Sequence, residues 1–134
     1  MKTNQVLDKR VLVTDNDIKV SEALAGKIRQ YGFKVMTANS GNEALNIYEN
    51  FYPDIVIIDE DLKQIGGLEL FLKLFFYNPA IKLVLTTRET QSLENEFNDS
   101  SNFVVLKKRF SDDDLKKIFK DAKVIPRTFQ EKLQ

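Results

Sequence analysis

Four consecutive branched apolar residues, Ile55-Val56-Ile57-Ile58, run directly into the charged triplet Asp59-Glu60-Asp61. A strand that faces solvent on one side alternates apolar and polar residues, because successive side chains point to opposite faces. A strand apolar at every position is buried on both faces, which places it inside a parallel sheet covered by helices on each side. The preceding Pro53-Asp54 breaks the chain into this strand, and the abrupt change of polarity at Asp59 ends it at the sheet edge.

The rest of the chain supplies what such a strand needs. Short β-branched runs alternate with helical patterns. Val11-Leu12-Val13 reads as a first strand, followed by a helix over about Ile18 to Tyr31 with Val20, Leu24, Ile28 and Tyr31 at helical spacing and Gly32 as its stop. Lys34 to Ala38 reads as a second strand. Ser40-Gly41-Asn42-Glu43 has the form of a capping box and opens a helix with Ala44, Ile47, Tyr48 and Phe51 on its apolar face. After the buried strand, Gly66-Gly67 turns into a helix over about Leu68 to Tyr77, ended by Asn78-Pro79. Leu83-Val84-Leu85 is the fourth strand, a short helix is expected over about Gln91 to Phe97, and Phe103-Val104-Val105-Leu106 is the fifth strand. Ser111 caps the last helix, whose first-turn Asp112, Asp113 and Asp114 suit the positive end of the helix dipole; Pro126 closes it. Five β-α units with covered strands predict a doubly wound α/β domain with five helices, preceded by an extension over 1–9, spanning 10–123, and followed by a tail over 124–134.

Composition narrows the chemistry. The 134 residues carry 20 basic and 20 acidic side chains, so no net field favours nucleic acid or an anionic membrane. There is no cysteine and no histidine, which excludes thiolate catalysis, a Ser-His-Asp triad and an ordinary zinc site. No stretch is apolar enough to span a bilayer, and Met1 to Gln5 lacks the apolar segment of a secretory signal, so a cytoplasmic location is expected.

In open α/β sheets, ligands bind beyond the carboxyl ends of the strands. Four strands here end in polar groups: Thr14-Asp15-Asn16-Asp17, Asp59-Glu60-Asp61, Thr86-Thr87-Arg88 and Lys107-Lys108-Arg109. Crowded carboxylates call for a hard divalent cation, and an aspartate can serve as the nucleophile that forms an aspartyl-phosphate. A lysine and a hydroxyl suit the oxygens of a transferring phosphoryl group. Asp17 is read as the cap of the first helix.

These pieces, with Pro53-Asp54 before the third strand, Gly67-Leu68-Glu69-Leu70, and Leu106 and Phe110 around Lys108, resemble response-regulator receiver domains from about Arg10 to Lys123. The resemblance implies a flavodoxin-like sheet of order 2-1-3-4-5, Asp59 as phospho-acceptor, Asp15 and Asn16 at the positions that hold Mg2+ together with Asp59 and the backbone carbonyl of Asp61, Thr87 as the site hydroxyl and Lys108 rather than Lys107 as the site ammonium. It also implies a histidine kinase or phosphotransfer protein as donor and a downstream protein partner. Several residues depart from the family's pattern. Asn16 replaces a second carboxylate, which predicts weaker Mg2+ binding. Arg109 and Lys63 replace prolines, Arg88 replaces a small residue, Val105 replaces an aromatic and Glu60 an apolar residue. Those changes motivate an alternative, a phosphorylation-independent pseudo-receiver that acts as an interaction module. A flavodoxin-like enzyme or ligand-binding domain is a third reading, weakened because no glycine-rich phosphate loop follows the first strand. On the third helix, Leu70, Phe71 and Leu74 are expected inward. Leu72 and Phe76 form an extra apolar pair, read either as a wider buried stripe under a loop or as the face of a homodimer or partner.

Overall fold

A computed structural model of the chain describes residues 9–88 and 103–121. The strands are β1 (Arg10–Thr14), β2 (Lys34–Ala38), β3 (Ile55–Asp59), β4 (Lys82–Thr87) and β5 (Phe103–Lys107). They form one parallel sheet in the order β2-β1-β3-β4-β5. The helices among the described residues are α1 (Ile18–Gln30), α2 (Gly41–Phe51), α3 (Gly67–Tyr77) and α4 (Asp112–Asp121). The helix expected over 91–97 lies outside the described residues. No helix among those described is long and apolar enough to cross a membrane.

All five residues of β3 are buried, which is the two-faced strand that its sequence demands. Its alternate side chains feed two cores. Val56 and Ile58 join Leu12, Leu83 and Leu85 beneath Ala44 of α2 and Leu70, Phe71 and Leu74 of α3. Ile55 and Ile57 join Val11, Val13 and Val84 against Ala25 and Ile28 of α1 and Leu115 and Ile118 of α4. The sheet is therefore covered on both faces, and its polar strand ends emerge together at one edge.

The caps follow the sequence closely. Asp17 accepts the backbone N–H of Lys19 at 2.9 Å. Ser40 accepts that of Glu43 at 3.1 Å, while Glu43 reaches back to the N–H of Asn39 (2.7 Å), one residue before the cap. Ser111 and Asp114 form a reciprocal box, each side chain accepting the other's backbone N–H at 3.1 Å. The acidic run at 112–114 is thus part of a helix start.

Two expectations need correction. The buried stripe of α1 is Ser21, Ala25 and Ile28, whereas Val20 is 46% exposed. Small residues let the helix approach the sheet closely, and this displaces the larger apolar residues to the flank. On α3, Leu70, Phe71 and Leu74 are buried as expected, but Leu72 and Phe76 are 51% and 84% exposed, so no wider buried stripe is formed among the described residues.

Gly67 fixes where β3 stops. A Cβ at this position would lie 2.3 Å from the Asp59 carbonyl oxygen and 2.6 Å from Glu60 Cα, while at Gly66 it would meet nothing within 4 Å. Both neighbours of Gly67 are backbone and cannot rotate aside. Gly67→Ala is expected to destabilise the domain by about 1–3 kcal/mol, the usual cost of overpacking. Gly66→Ala is expected to be near neutral. Urea unfolding of the two variants separates a contact effect from a general intolerance of side chains in this turn.

Candidate functional site

The strand ends of β1, β3 and β4 and the turn after β5 border one open cleft of about 930 Å³, lined by Asp15, Asn16, Asp17, Asp59, Asp61, Arg88, Lys108 and Arg109 among others. Asp59, the last residue of β3, is 3% exposed. Its Oδ1 lies 2.7 Å from Lys108 Nζ and accepts the backbone N–H of Asp61 at 3.1 Å. A nearly buried carboxylate requires such partners, because the desolvation of an unpaired charge is far more costly than that of a paired one. Lys108 is placed by its own backbone, whose N–H donates to the Thr87 carbonyl at 2.7 Å. It thereby reaches the carboxylate although Arg109 follows it, with Arg109 in the left-handed region at φ 67° and no cis peptide among the described residues. Lys107 is exposed on β5.

Asp15 is also buried, at 9% exposure. Its Oδ1 accepts the N–H of Asp17 at 2.9 Å, and its backbone is held on both sides, with its N–H donating to Ala38 O (3.0 Å) and its carbonyl accepting Asn39 Nδ2 (2.8 Å). Burial pushes the Asp15 carboxyl above its ordinary value, and the neighbouring charges of Asp59 and Asp17 add to this. The Asp17 N–H and Lys108 oppose it. Asn39 also donates to Ser21 Oγ at 3.1 Å, which ties the loop after β2 to α1. The sequence singled out neither Asn39 nor its role, because an asparagine in a loop carries no signal until its tertiary partners are known.

The carboxylates of Asp15 and Asp59 and the backbone carbonyl of Asp61 make an all-oxygen set suited to a hard divalent cation. Thr14 adds a buried hydroxyl with no hydrogen-bond partner among the described residues, lining the same cleft. Asn16 does not join that set in this arrangement. Its Nδ2 donates to the Asp61 carbonyl (2.5 Å) and its Oδ1 accepts the N–H of Lys63 (3.0 Å).

Thr87 is buried at the same edge, but its hydroxyl donates to Glu60 Oε1. Thr86 rather than Thr87 lines the cleft. Glu60 is anchored by its N–H to Thr86 O (2.9 Å) and by its carbonyl to the N–H of Gly67 (3.1 Å). The structure thus gathers Asp15, Asn16, Asp59, Asp61 and Lys108 around one cleft and gives Thr87 a carboxylate partner that sequence reading did not anticipate.

The comparisons bear on the family and the fold. A family model described as the response regulator receiver domain matches residues 11–120. "Response regulator MprA" of Mycobacterium sp. (strain KMS) is 36% identical over 84 residues, covering 62% of this chain and 36% of that protein. The alkaline phosphatase synthesis transcriptional regulatory protein PhoP of Bacillus subtilis is 31% identical over 64 residues, covering 48% of this chain and 27% of that protein. The match thus spans about a third of these curated relatives or less. Among solved structures, a receiver domain protein from Methanospirillum hungatei superposes with a TM-score of 0.78 at 23% identity, covering 95% of this chain and 99% of that one. The response regulator TrrA of Thermotoga maritima, in complex with Mg2+ and BeF, gives 0.71 at 26% identity, covering 84% and 98%. With the family model matched over most of the chain and the strand order β2-β1-β3-β4-β5 present, the chain belongs to the response regulator receiver domains of two-component signalling.

Proposed function

We propose that this receiver domain accepts a phosphoryl group on Asp59 from a histidine kinase or a histidine phosphotransfer protein. The observation that carries the reading is the contact between Lys108 Nζ and Asp59 Oδ1 at 2.7 Å, an ammonium held against a nearly buried carboxylate at the mouth of an open cleft. An Asp59 oxygen attacks phosphorus, the bond from phosphorus to the donor's imidazole nitrogen breaks, and that nitrogen leaves with the bond's electron pair while a mixed anhydride forms on Asp59. Lys108 pairs with the carboxylate beforehand and with the added phosphoryl oxygens afterwards. Asp15, Asp59 and the Asp61 carbonyl would hold Mg2+, which supplies positive charge against the phosphoryl oxygens. Thr87 would have to leave Glu60 to bond the phosphoryl group, which makes the Thr87 hydroxyl the group whose partner changes on phosphorylation.

A pseudo-receiver remains the second reading, favoured by the Asn16 amide facing Asp61 and by Glu60 engaging Thr87. The two separate in one assay. Incubation with Mg2+ and a small acyl phosphate is expected to give an acid-stable, base-labile adduct that is absent in Asp59→Asn. Lys108→Ala is expected to slow its formation by about 100-fold, the order seen when one oxyanion partner is removed. No adduct with either the acyl phosphate or a phosphorylated kinase would leave the interaction module as the function.

The buried Asp15 charge yields a prediction of a different kind. A folded-state pKa above the ordinary 3.8 means that the fold holds this proton more tightly than the unfolded chain does. Stability from this group therefore falls as pH rises from 3.8 through the raised value, and the full cost is carried at neutral pH. Asp15→Asn keeps an oxygen for the Asp17 N–H and removes the charge. It is expected to raise the melting temperature at pH 7, with a gain that shrinks as pH falls through that window, while weakening phosphorylation. An Asp15→Asn protein that melts lower than the parent at pH 7 would contradict the assigned cost.

A further inference from the structure

We infer that Asn16 is a strap that competes with the divalent cation for the Asp61 carbonyl, rather than a ligand of that cation. The inference deepens the phosphorylation reading and rests on it for the identity of the cation site. Its ground is the orientation of one amide. The two atoms that Asn16 meets are both backbone, and their roles are fixed: the Asp61 carbonyl can only accept, and the Lys63 N–H can only donate. Nδ2 must therefore face Asp61 and Oδ1 must face Lys63. Turning the amide over would set oxygen against oxygen and N–H against N–H.

This strap ties the loop after β1 to the loop after β3 without an ion. The Asp61 carbonyl, one of the oxygen-bearing groups available to a cation here, already has a hydrogen-bond donor on it. The Asn16 oxygen is likewise engaged with the N–H of Lys63. An aspartate at 16 reverses the situation: one of its oxygens could still accept the Lys63 N–H, but the other would meet the Asp61 carbonyl with repulsion that a cation between them would relieve. The loop from Glu60 to Lys63 is consequently held in place by hydrogen bonds from its own chain, and a cation at the Asp61 carbonyl competes with the Asn16 amide for that oxygen.

The substitution Asn16→Ala separates the two roles. A ligand role predicts that removing the amide weakens Mg2+ binding. The strap predicts that it frees the carbonyl and strengthens binding by about two- to tenfold, the range of one net hydrogen bond. Asn16→Asp is expected to bind Mg2+ at least about tenfold more tightly than the parent. The measurement is Mg2+ titration of the whole chain without phosphodonor, followed by the amide resonances of Asp61 and Lys63, with thermal melts in EDTA alongside. In EDTA both variants are expected to melt below the parent, and Mg2+ is expected to restore Asn16→Asp. Weaker Mg2+ binding by Asn16→Ala, or an Asn16→Asp protein that in EDTA melts no lower than the parent, overturns the inference. Because no phosphoryl group enters the experiment, its failure is distinct from failure of Asp59 to form an adduct.

Discussion

The ion pair between Asp59 and Lys108 is the contact on which the site depends, because it joins the most buried strand to the turn after the edge strand. β3 is buried along its whole length and ends in a carboxylate with almost no solvent contact. Such a charge is stable only with partners delivered to it, and they come from both sides: Lys108 from beyond β5 and the Asp61 N–H from its own turn. Gly67 allows that turn to fold back against the Asp59 carbonyl. Asp15 reaches the same edge on β1, with its backbone pinned by Ala38 and Asn39. The acidic edge is thus a consequence of where a parallel sheet lets its strands end.

Among the residues that depart from the family's pattern, Asn16, Glu60 and Lys63 bond to neighbours at that edge, whereas Val105 packs against a core. Asn16 bonds to the Asp61 carbonyl and the Lys63 N–H, so two of the departures meet in one bridge. Glu60 takes the Thr87 hydroxyl. Arg109 follows Lys108 in a left-handed conformation that costs a residue with a side chain about 1–2 kcal/mol, and Lys108 still reaches Asp59. Val105 is partly buried against the core beneath α3. At Asn16, Lys63 and Glu60 the exchange brings hydrogen bonds made by side chains and backbone of this chain.

Much of this was legible in the chain itself. The strands were visible because burial on two faces leaves no polar position, and strand ends were marked by sudden charge. Ser40, Asp17 and Ser111 announced helix starts through local hydrogen-bond chemistry that needs no tertiary context. On α1, Ile28 is buried and Leu24 and Tyr31 pack against the core as their spacing suggests, but hydrophobicity also marks the exposed Val20, whereas close packing on the sheet selects the smaller Ser21 and Ala25. Asn39, the strap at Asn16 and the pairing of Glu60 with Thr87 were not legible at all. Each joins residues more than 20 positions apart, apart from the bond of Asn39 to Ser21 at 18, and their partners are mostly backbone groups that every residue possesses.

Charge balance in the cleft gives these exchanges a common direction. Its lining holds the carboxylates of Asp15, Asp17, Asp59 and Asp61 against the cations of Arg88, Lys108 and Arg109. A fifth carboxylate at position 16 would add to the repulsion that, after burial, raises the proton affinity of Asp15. Asparagine removes that charge and contributes a donor where a cation would otherwise be required. The two arginines add guanidinium groups to the rim, suited to planar pairing with oxyanions. A cleft built this way joins the loops after β1 and β3 through hydrogen bonds of its own chain and keeps the Lys108 ammonium beside Asp59.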